Sequence, residues 1–258
     1  MSGATSDFVD VRGYRLRLSR KGEGPALLLL NDFLGPQSWQ PYMDALCATH
    51  EVILPEHPGF GAQPAPAWLD NVSDLANFYL DLLDELAVQR ATLLGCGCGG
   101  WVAADLAIRN PARVERLVLS APAGLYVKGV PQTDTFLLSE EDAVRSLFHD
   151  AALAEPVVAA MMAPELEDAR LQNLEVTARL TWEPRMHDPD LRKWLHRIDL
   201  PTLIIWGAHD RIFPHAYAEE WRSLIPGARL ETLSDCGHAP QLEAPQAFAR
   251  LIQDFRPR

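Results

Sequence analysis

Apolar and polar residues alternate along this chain in two patterns, one typical of strands and one of helices. Short unbroken apolar runs predict strands buried on both faces of a sheet. They cover residues 26–30, 52–54, 92–94 and 117–119, and strands return at 202–206 and 229–233. Before the first run, polar and apolar residues alternate over residues 7–20, which predicts a β-hairpin turning at Gly13.

Helical spacing fills most of the intervals between these strands. The clearest case has start signals at Ser73 and Asp74 and then apolar residues three or four apart, namely Leu75, Phe78, Tyr79, Leu82, Leu83 and Leu86. Pro245 opens a last helix. Alternating strands and helices predict an α/β fold with a mostly parallel sheet and helices on both faces.

The alternation stops after residue 124. Residues 139–197 read as consecutive helices, with breaks predicted at Pro156, Pro164, Pro184 and Pro189. The chain is therefore expected to form one α/β core from residues 1–124 and 198–258, with a helical insertion at residues 125–197.

Composition narrows the classes of function. The chain has 258 residues, 48% of them hydrophobic, and a formal net charge of −12. This charge disfavours nucleic acids and anionic membranes as partners. No apolar run approaches the ~18 residues of a membrane span. The four cysteines lack the spacing of a disulfide framework, and the first residues lack the features of a signal peptide, so a cytoplasmic location is expected.

The most informative segment runs from Leu93 to Trp101, Leu-Leu-Gly-Cys-Gly-Cys-Gly-Gly-Trp. An apolar strand leads through glycines directly into a helical pattern, which is the layout of the G-x-S-x-G nucleophile elbow. Gly95 and Gly99 match the outer glycines of this motif, but Gly97 stands where the motif has serine. A route through a serine acyl-enzyme is therefore not expected.

Two further segments complete a recognisable order along the chain. Asp210 lies just beyond a strand in Trp-Gly-Ala-His-Asp, and His238 follows the last strand in Cys-Gly-His. Elbow, acid and histidine in this order resemble the triad of the α/β-hydrolase superfamily. The resemblance covers nearly the whole chain and includes the loop Pro-Glu-His-Pro-Gly-Phe-Gly at residues 55–61.

The resemblance implies a role for each of these positions. Gly97 would stand at the nucleophile, Asp210 would be the acid and His238 the base, beneath a cap formed by residues 125–197. Backbone N–H groups of Phe33 and Cys98 would form the oxyanion hole. The family usually has His-Gly after the strand that ends here at Leu30, whereas this chain has Asn31-Asp32.

Two parts of the hydrolytic machinery are thus altered while the acid and the histidine remain. Asp32 becomes a candidate second acid/base group. Glycine at residue 97 relaxes a turn that demands positive φ, and because it has no side chain, a small gap beside His238 is also expected. Asn31, Phe33 and Cys98 are assigned to the substrate and oxyanion region.

Three functions remain open from the sequence. The first is an enzyme that acts on a small, largely apolar organic substrate by His-Asp acid/base chemistry, as in isomerisation, cyclisation, elimination or decarboxylation. The second is a serine hydrolase of esters or carbon–carbon bonds, present as a Ser-to-Gly knock-out at residue 97. The third is a non-catalytic relative that binds a ligand.

The sequence offers other histidines and cysteines, which we interpret as structural and not catalytic. His57 and His209 are interpreted as loop residues. Cys96 and Cys98 are expected to turn away from the pocket into the core, which disfavours a displaced thiol nucleophile or a zinc site. The sequence contains no cofactor fingerprint, so we expect neither cofactor nor metal, and no heptad pattern indicates an oligomeric state.

Overall fold

A mixed sheet of eight strands organises residues 3–255, which is the part of the chain that the computed structural model describes. Its spatial order is β1-β2-β4-β3-β5-β6-β7-β8, with β1 and β2 antiparallel and β3 to β8 mutually parallel. The strands are β1 (Thr5–Val11), β2 (Tyr14–Lys21), β3 (Ala26–Leu30), β4 (Glu51–Pro55), β5 (Ala91–Cys96), β6 (Val114–Ser120), β7 (Thr202–Gly207) and β8 (Arg229–Leu233).

The first two strands form the predicted hairpin. Val11 pairs with Tyr14, which leaves Arg12 and Gly13 as a two-residue turn. Both have positive φ, 53° and 83°, as a type I′ turn requires. The apolar runs also become strands at the predicted positions, because parallel strands covered on both faces need apolar side chains on both sides.

Helices cover both faces of the sheet. One face packs against α1 (Pro41–Leu46) and α10 (Pro245–Asp254), and the other against α2 (Val72–Glu85), α3 (Cys98–Arg109) and α8 (Ala216–Leu224). A short helix, α9 (Pro240–Glu243), precedes α10. The sequence places the start of α2 at Ser73, which is two residues late. Asn71 is the N-cap of this helix, and its side-chain oxygen accepts a hydrogen bond from Asp74 N at 3.1 Å.

Consecutive α-helices occupy most of residues 139–197, as the sequence predicts. They are α4 (Glu140–Ser146), α5 (Ala151–Met161), α6 (Glu167–Thr181) and α7 (Leu191–Trp194). The predicted break at Pro156 is wrong, because Pro156 lies inside α5. Burial of Ala154 and Val158 on either side of it holds the helix together, although a proline there removes one backbone hydrogen bond.

This helical segment is tied to the loop that follows β4. Asn173 Oδ1 accepts a hydrogen bond from Gly61 N, and Gln172 Nε2 donates to Gly59 O, each at 2.8 Å. Helix α6 is therefore fixed against the core through backbone groups. Within residues 3–255, none of the helices combines the length and the apolarity needed to cross a bilayer.

Gly99 allows the start of α3 to lie directly against the end of β3. A Cβ atom at this residue would meet Leu30 O at 2.1 Å and Asn31 O at 2.4 Å. Both obstacles are backbone atoms of a buried strand end, so neither can move easily. The site described below depends on this close approach.

We therefore expect Gly99→Ala to destabilise the fold by about 3 kcal/mol or more, at the upper end of overpacking. Chemical denaturation followed by circular dichroism measures the effect. Gly35→Ala is the matched control, because its Cβ would meet nothing closer than Asp32 Cβ at 3.9 Å. Equal stabilities of the two variants would contradict this account.

Candidate active site

Four segments meet at the carboxyl edge of the parallel strands. Asp32 follows β3, Gly97 follows β5, Asp210 follows β7 and His238 follows β8. Parallel strands present their carboxyl ends at one edge of a sheet, where open α/β folds bind ligands. Asp32, Gly97 and His238 all line one cavity at this edge.

Asp210 and His238 are in contact, as the sequence predicts. Asp210 Oδ2 accepts a hydrogen bond from His238 Nδ1 at 2.9 Å. The other oxygen of Asp210 accepts from the backbone N–H groups of Ile212, at 2.8 Å, and Phe213, at 3.0 Å. The carboxylate is thereby fixed on both sides, and His238 Nε2 is left to face the cavity.

Gly97 adopts the expected backbone conformation at the turn between β5 and α3. Its φ of 51° lies in the left-handed region, where a side chain is strained. Gly97 N donates to Ser120 O at 2.9 Å, and Gly97 O accepts from Gly100 N at 3.0 Å. These backbone hydrogen bonds hold the turn at Gly97.

The carboxyl group of Asp32 fills the space above Gly97. A Cβ atom at residue 97 would lie 2.2 Å from Asp32 Oδ1 and 2.3 Å from Asp32 Cγ. The gap expected beside His238 is therefore absent, because the side chain of Asp32, from the loop after β3, occupies it.

Asp32 also takes the N–H group that the sequence assigns to the oxyanion hole. Asp32 Oδ1 accepts a hydrogen bond from Cys98 N at 2.9 Å, and Oδ2 lies 3.8 Å from His238 Nε2. The second distance is too long for a hydrogen bond. One carboxyl oxygen is therefore anchored at the start of α3, while the other faces the histidine.

Buried groups behind Asp32 hold its loop in place. His57 hydrogen-bonds Tyr79 Oη through Nδ1 at 2.5 Å and Asn31 O through Nε2 at 2.9 Å. Complete burial lowers the pKa of His57 to about 4, so the ring is neutral at pH 7. Gln37 Nε2 donates to Asp32 O at 2.7 Å. His57 is a buried support of the loop and does not line the cavity.

The assignment of Asn31 to the substrate region is wrong. Its side chain donates to Pro36 O at 3.3 Å, its carbonyl accepts from His57, and it is absent from the cavity wall. Both residues follow β3 in the chain, and of the two only Asp32 lines the cavity. Phe33 and Cys98 do line the cavity.

The sequence predicts that Cys98 turns away from the pocket into the core, and this prediction is wrong. Cys98 lines the cavity and contacts Asp32. Burial raises the pKa of its thiol well above the ordinary value, and the Asp32 charge adds to this. The thiol therefore stays protonated. Burial also raises the pKa of Cys96. Among residues 3–255, no three His, Cys, Asp or Glu side chains are grouped to hold a metal ion.

The loop that carries His238 is fixed by Glu243, which the sequence analysis missed. Glu243 Oε2 accepts from Gly237 N at 2.5 Å, and Oε1 accepts from His149 N at 2.8 Å. His149 lies 94 residues earlier in the chain, so no local pattern reveals the contact. Glu243 thereby joins the histidine loop to the start of α5.

The cavity has a volume of about 1120 Å³ and lies between the sheet edge and the helical segment. Its walls are mostly apolar, and include Phe136, Val144, Val157, Met161, Ile212 and Phe213. This volume and lining are typical of a site for a small organic molecule. Asp32 and His238 line the cavity at the carboxyl edge of the sheet.

The comparisons with known proteins agree with the fold. The chain belongs to the α/β hydrolase fold family, whose sequence model matches residues 25–245. It is 34% identical to a pimeloyl-[acyl-carrier protein] methyl ester esterase of Aromatoleum aromaticum, over 89% of this chain and 97% of that protein.

Two further similarities carry hydrolase names. A 2-hydroxymuconate semialdehyde hydrolase of Pseudomonas putida is 30% identical, over 94% of this chain and 91% of that protein. The crystal structure of an enol-lactonase from Burkholderia xenovorans superposes with a TM-score of 0.79 at 27% identity, covering 96% of this chain and 99% of that one.

The charges around His238 determine its titration. Burial lowers the pKa of His238, but the charge and hydrogen bond of Asp210, with the charge of Asp32, outweigh burial and raise it above 6.5. Protonation of His238 therefore stabilises the fold below pH 6.5, and this contribution is lost as pH rises through the folded-state pKa.

We expect Asp32→Asn to lower the pKa of His238, because it removes one of the two charges that raise it. A titration of the imidazole by NMR measures the shift directly and needs no substrate. Glu56→Gln is the matched control, since Glu56 lines the same cavity but is not among the charges that act on His238. An unchanged pKa in Asp32→Asn would contradict the assigned electrostatics.

Proposed function

We propose that this protein is a hydrolase of small, largely apolar organic molecules that works without a serine nucleophile. In this proposal residues 125–197 form the cap over the substrate, Gly97 stands at the nucleophile position of the family, and His238 activates water. Asp210 fixes the Nδ1–H tautomer of His238 and stabilises the imidazolium that forms.

One observation carries the proposal. The Asp32 carboxyl group fills the space of a residue-97 side chain and accepts the Cys98 N–H, while His238 and Asp210 keep a hydrogen bond of 2.9 Å. A histidine so oriented is able to take a proton from water at the cavity floor. Ionisable groups gathered in an apolar cavity are typical of catalytic sites.

The hydrolase names of the relatives support hydrolysis over the other reactions that the sequence leaves open. Isomerisation, cyclisation, elimination and decarboxylation need only the proton transfer, and the relatives named above give them no support. We therefore assign the proton-transfer chemistry of His238 to water.

The second candidate is a serine hydrolase disabled by a Ser-to-Gly change at residue 97, and the same relatives favour it. Loss of the nucleophile from a serine triad lowers kcat about 10⁶-fold. Against it, a lone change at residue 97 leaves the position of Asp32 unexplained. Non-catalytic ligand binding, the third possibility, accounts for the cavity but gives His238 and Asp210 no role.

We expect His238→Ala to reduce turnover about 10²- to 10⁴-fold, the usual contribution of a positioned general base. A panel of aryl esters, lactones, alkyl bromides and epoxides, followed by product formation, identifies a substrate and measures the loss. His215→Ala is the control, because that imidazole hydrogen-bonds Thr232 outside the cavity. Wild-type turnover in His238→Ala would refute the proposal.

Gly97→Ser separates the two candidate functions. A side chain at residue 97 displaces the Asp32 carboxyl and places a non-glycine residue at φ 51°, so we expect destabilisation of about 1–3 kcal/mol and no ester turnover. Adding Asp32→Gly restores the space, so the double variant should be more stable than the two single effects predict.

Fast ester turnover by Gly97→Ser alone would favour the disabled serine hydrolase. Additive stabilities would show that residues 32 and 97 do not compete for the same space. Denaturant unfolding of the two single variants and the double variant provides the comparison.

A further inference from the structure

The two carboxylate oxygens of Asp32 have different surroundings. Oδ1 is held by Cys98 N at 2.9 Å, at the first residue of α3. Oδ2 faces the cavity side of the site, 3.8 Å from His238 Nε2. Asp32 is 9% exposed, so little water surrounds the carboxylate. A carboxylate held at one oxygen and poorly hydrated at the other is well placed to attack an electrophile.

The same contacts restrict the kind of electrophile. A substrate that reacts at a carbonyl group develops a negative oxygen, which needs N–H donors. In this site Asp32 Oδ1 already occupies the Cys98 N–H. Attack on a saturated carbon places no such charge on a carbonyl oxygen of the substrate, because the electron pair leaves with the departing group.

We propose that Asp32 is the nucleophile of this enzyme and that its substrates carry a leaving group on a saturated carbon, as alkyl halides and epoxides do. This inference rests on the proposed function, because it uses His238 and Asp210 to activate water in the second step. It assigns to Asp32 a bond to the substrate instead of the acid/base role expected from the sequence.

In the first step Asp32 Oδ2 forms a bond to the substrate carbon while the bond from that carbon to the leaving group breaks. The leaving group departs with the bonding electron pair, as halide or as the ring-opened oxygen of an epoxide, which takes a proton from solvent. The product of this step is an alkyl ester of Asp32. No oxidant, reductant or cofactor takes part.

In the second step water attacks Asp32 Cγ and passes a proton to His238 Nε2. Negative charge develops on Oδ1, the oxygen that already accepts from Cys98 N. The Cγ–Oδ2 bond then breaks, and the departing alkoxide takes the proton from His238. The alcohol therefore carries an oxygen from Asp32, and Asp32 gains an oxygen from water.

The geometry serves both steps without rearrangement. The N–H donor that anchors the nucleophile in the first step stabilises the tetrahedral intermediate in the second. His57, Tyr79 and Gln37 hold the backbone around Asp32, so the carboxyl stays at this donor. Glycine at residue 97 leaves the space in which the carboxyl lies.

The experiment uses styrene oxide and hexyl bromide as probes, with peptide mass mapping of the intact chain. In His238→Ala the second step is blocked, so we expect an ester adduct on Asp32 with one probe molecule per chain. In the wild type, turnover in heavy-oxygen water should place the heavy isotope in the Asp32 side chain.

Two variants check the assignment. Asp32→Asn keeps the shape and the acceptor toward Cys98 N but is expected to lose both adduct and isotope incorporation, and circular dichroism verifies that it folds. Asp168→Asn removes an exposed carboxyl that does not line the cavity and should keep both signals. Cys47, a partly exposed thiol, reports non-specific alkylation in every sample.

Each outcome decides between the two proposals. Absence of any adduct on Asp32 with both probes overturns the inference, and hydrolysis of esters by a His238-dependent route would leave the proposed function standing. Isotope in Asp32 together with undiminished turnover in His238→Ala would instead support the nucleophile and overturn the role of His238.

Discussion

The hydrogen bond between Cys98 N and Asp32 Oδ1 is the contact on which the rest of the site depends. It exists only because residue 97 has no side chain, since a Cβ there would lie 2.2 Å from the same oxygen. Gly97 and Asp32 therefore form one unit of structure. The carboxyl group supplies both the polar atoms and the volume that glycine lacks, at the floor of an otherwise mostly apolar cavity.

This contact requires the start of α3 to lie close against the end of β3. Gly99 permits that approach, and the buried pair of His57 and Tyr79 fixes the carbonyl of Asn31 beside it. On the other side of the cavity, Glu243 holds the loop of His238 through Gly237 N. Asp32 and His238 are thus positioned by contacts between elements that are distant in sequence, which gives precision to a site built from loops.

Much of the fold could be predicted from local pattern, because buried parallel strands and amphipathic helices leave a direct trace in the sequence. The hairpin at Gly13 was predictable in the same way, from turn chemistry, whereas the pairing of Asp210 with His238 was predicted from the resemblance to the α/β-hydrolase triad. The continuation of α5 through Pro156 could not be predicted, because burial of its neighbours outweighs the local signal of proline. The start of α2 was also misplaced, because the side chain of Asn71 caps the helix two residues earlier. The position of the Asp32 carboxyl depends on packing between β3 and α3, and no spacing within either segment encodes it.

The burial of Asp32, Asp210 and His238 is not explained by fold stability alone. Asp210 and Asp32 lie 2.9 and 3.8 Å from the imidazole nitrogens of His238, and all three side chains are largely withdrawn from water. Such groups contribute little to stability once their desolvation is counted, and apolar side chains of similar volume often serve the fold better. Asp210 raises the basicity of the histidine, and Asp32 adds to this effect while facing the cavity. Under the proposed function, His238 would act as the oriented base, Asp32 would supply the carboxylate, and Cys98 N would be the N–H donor to that carboxylate.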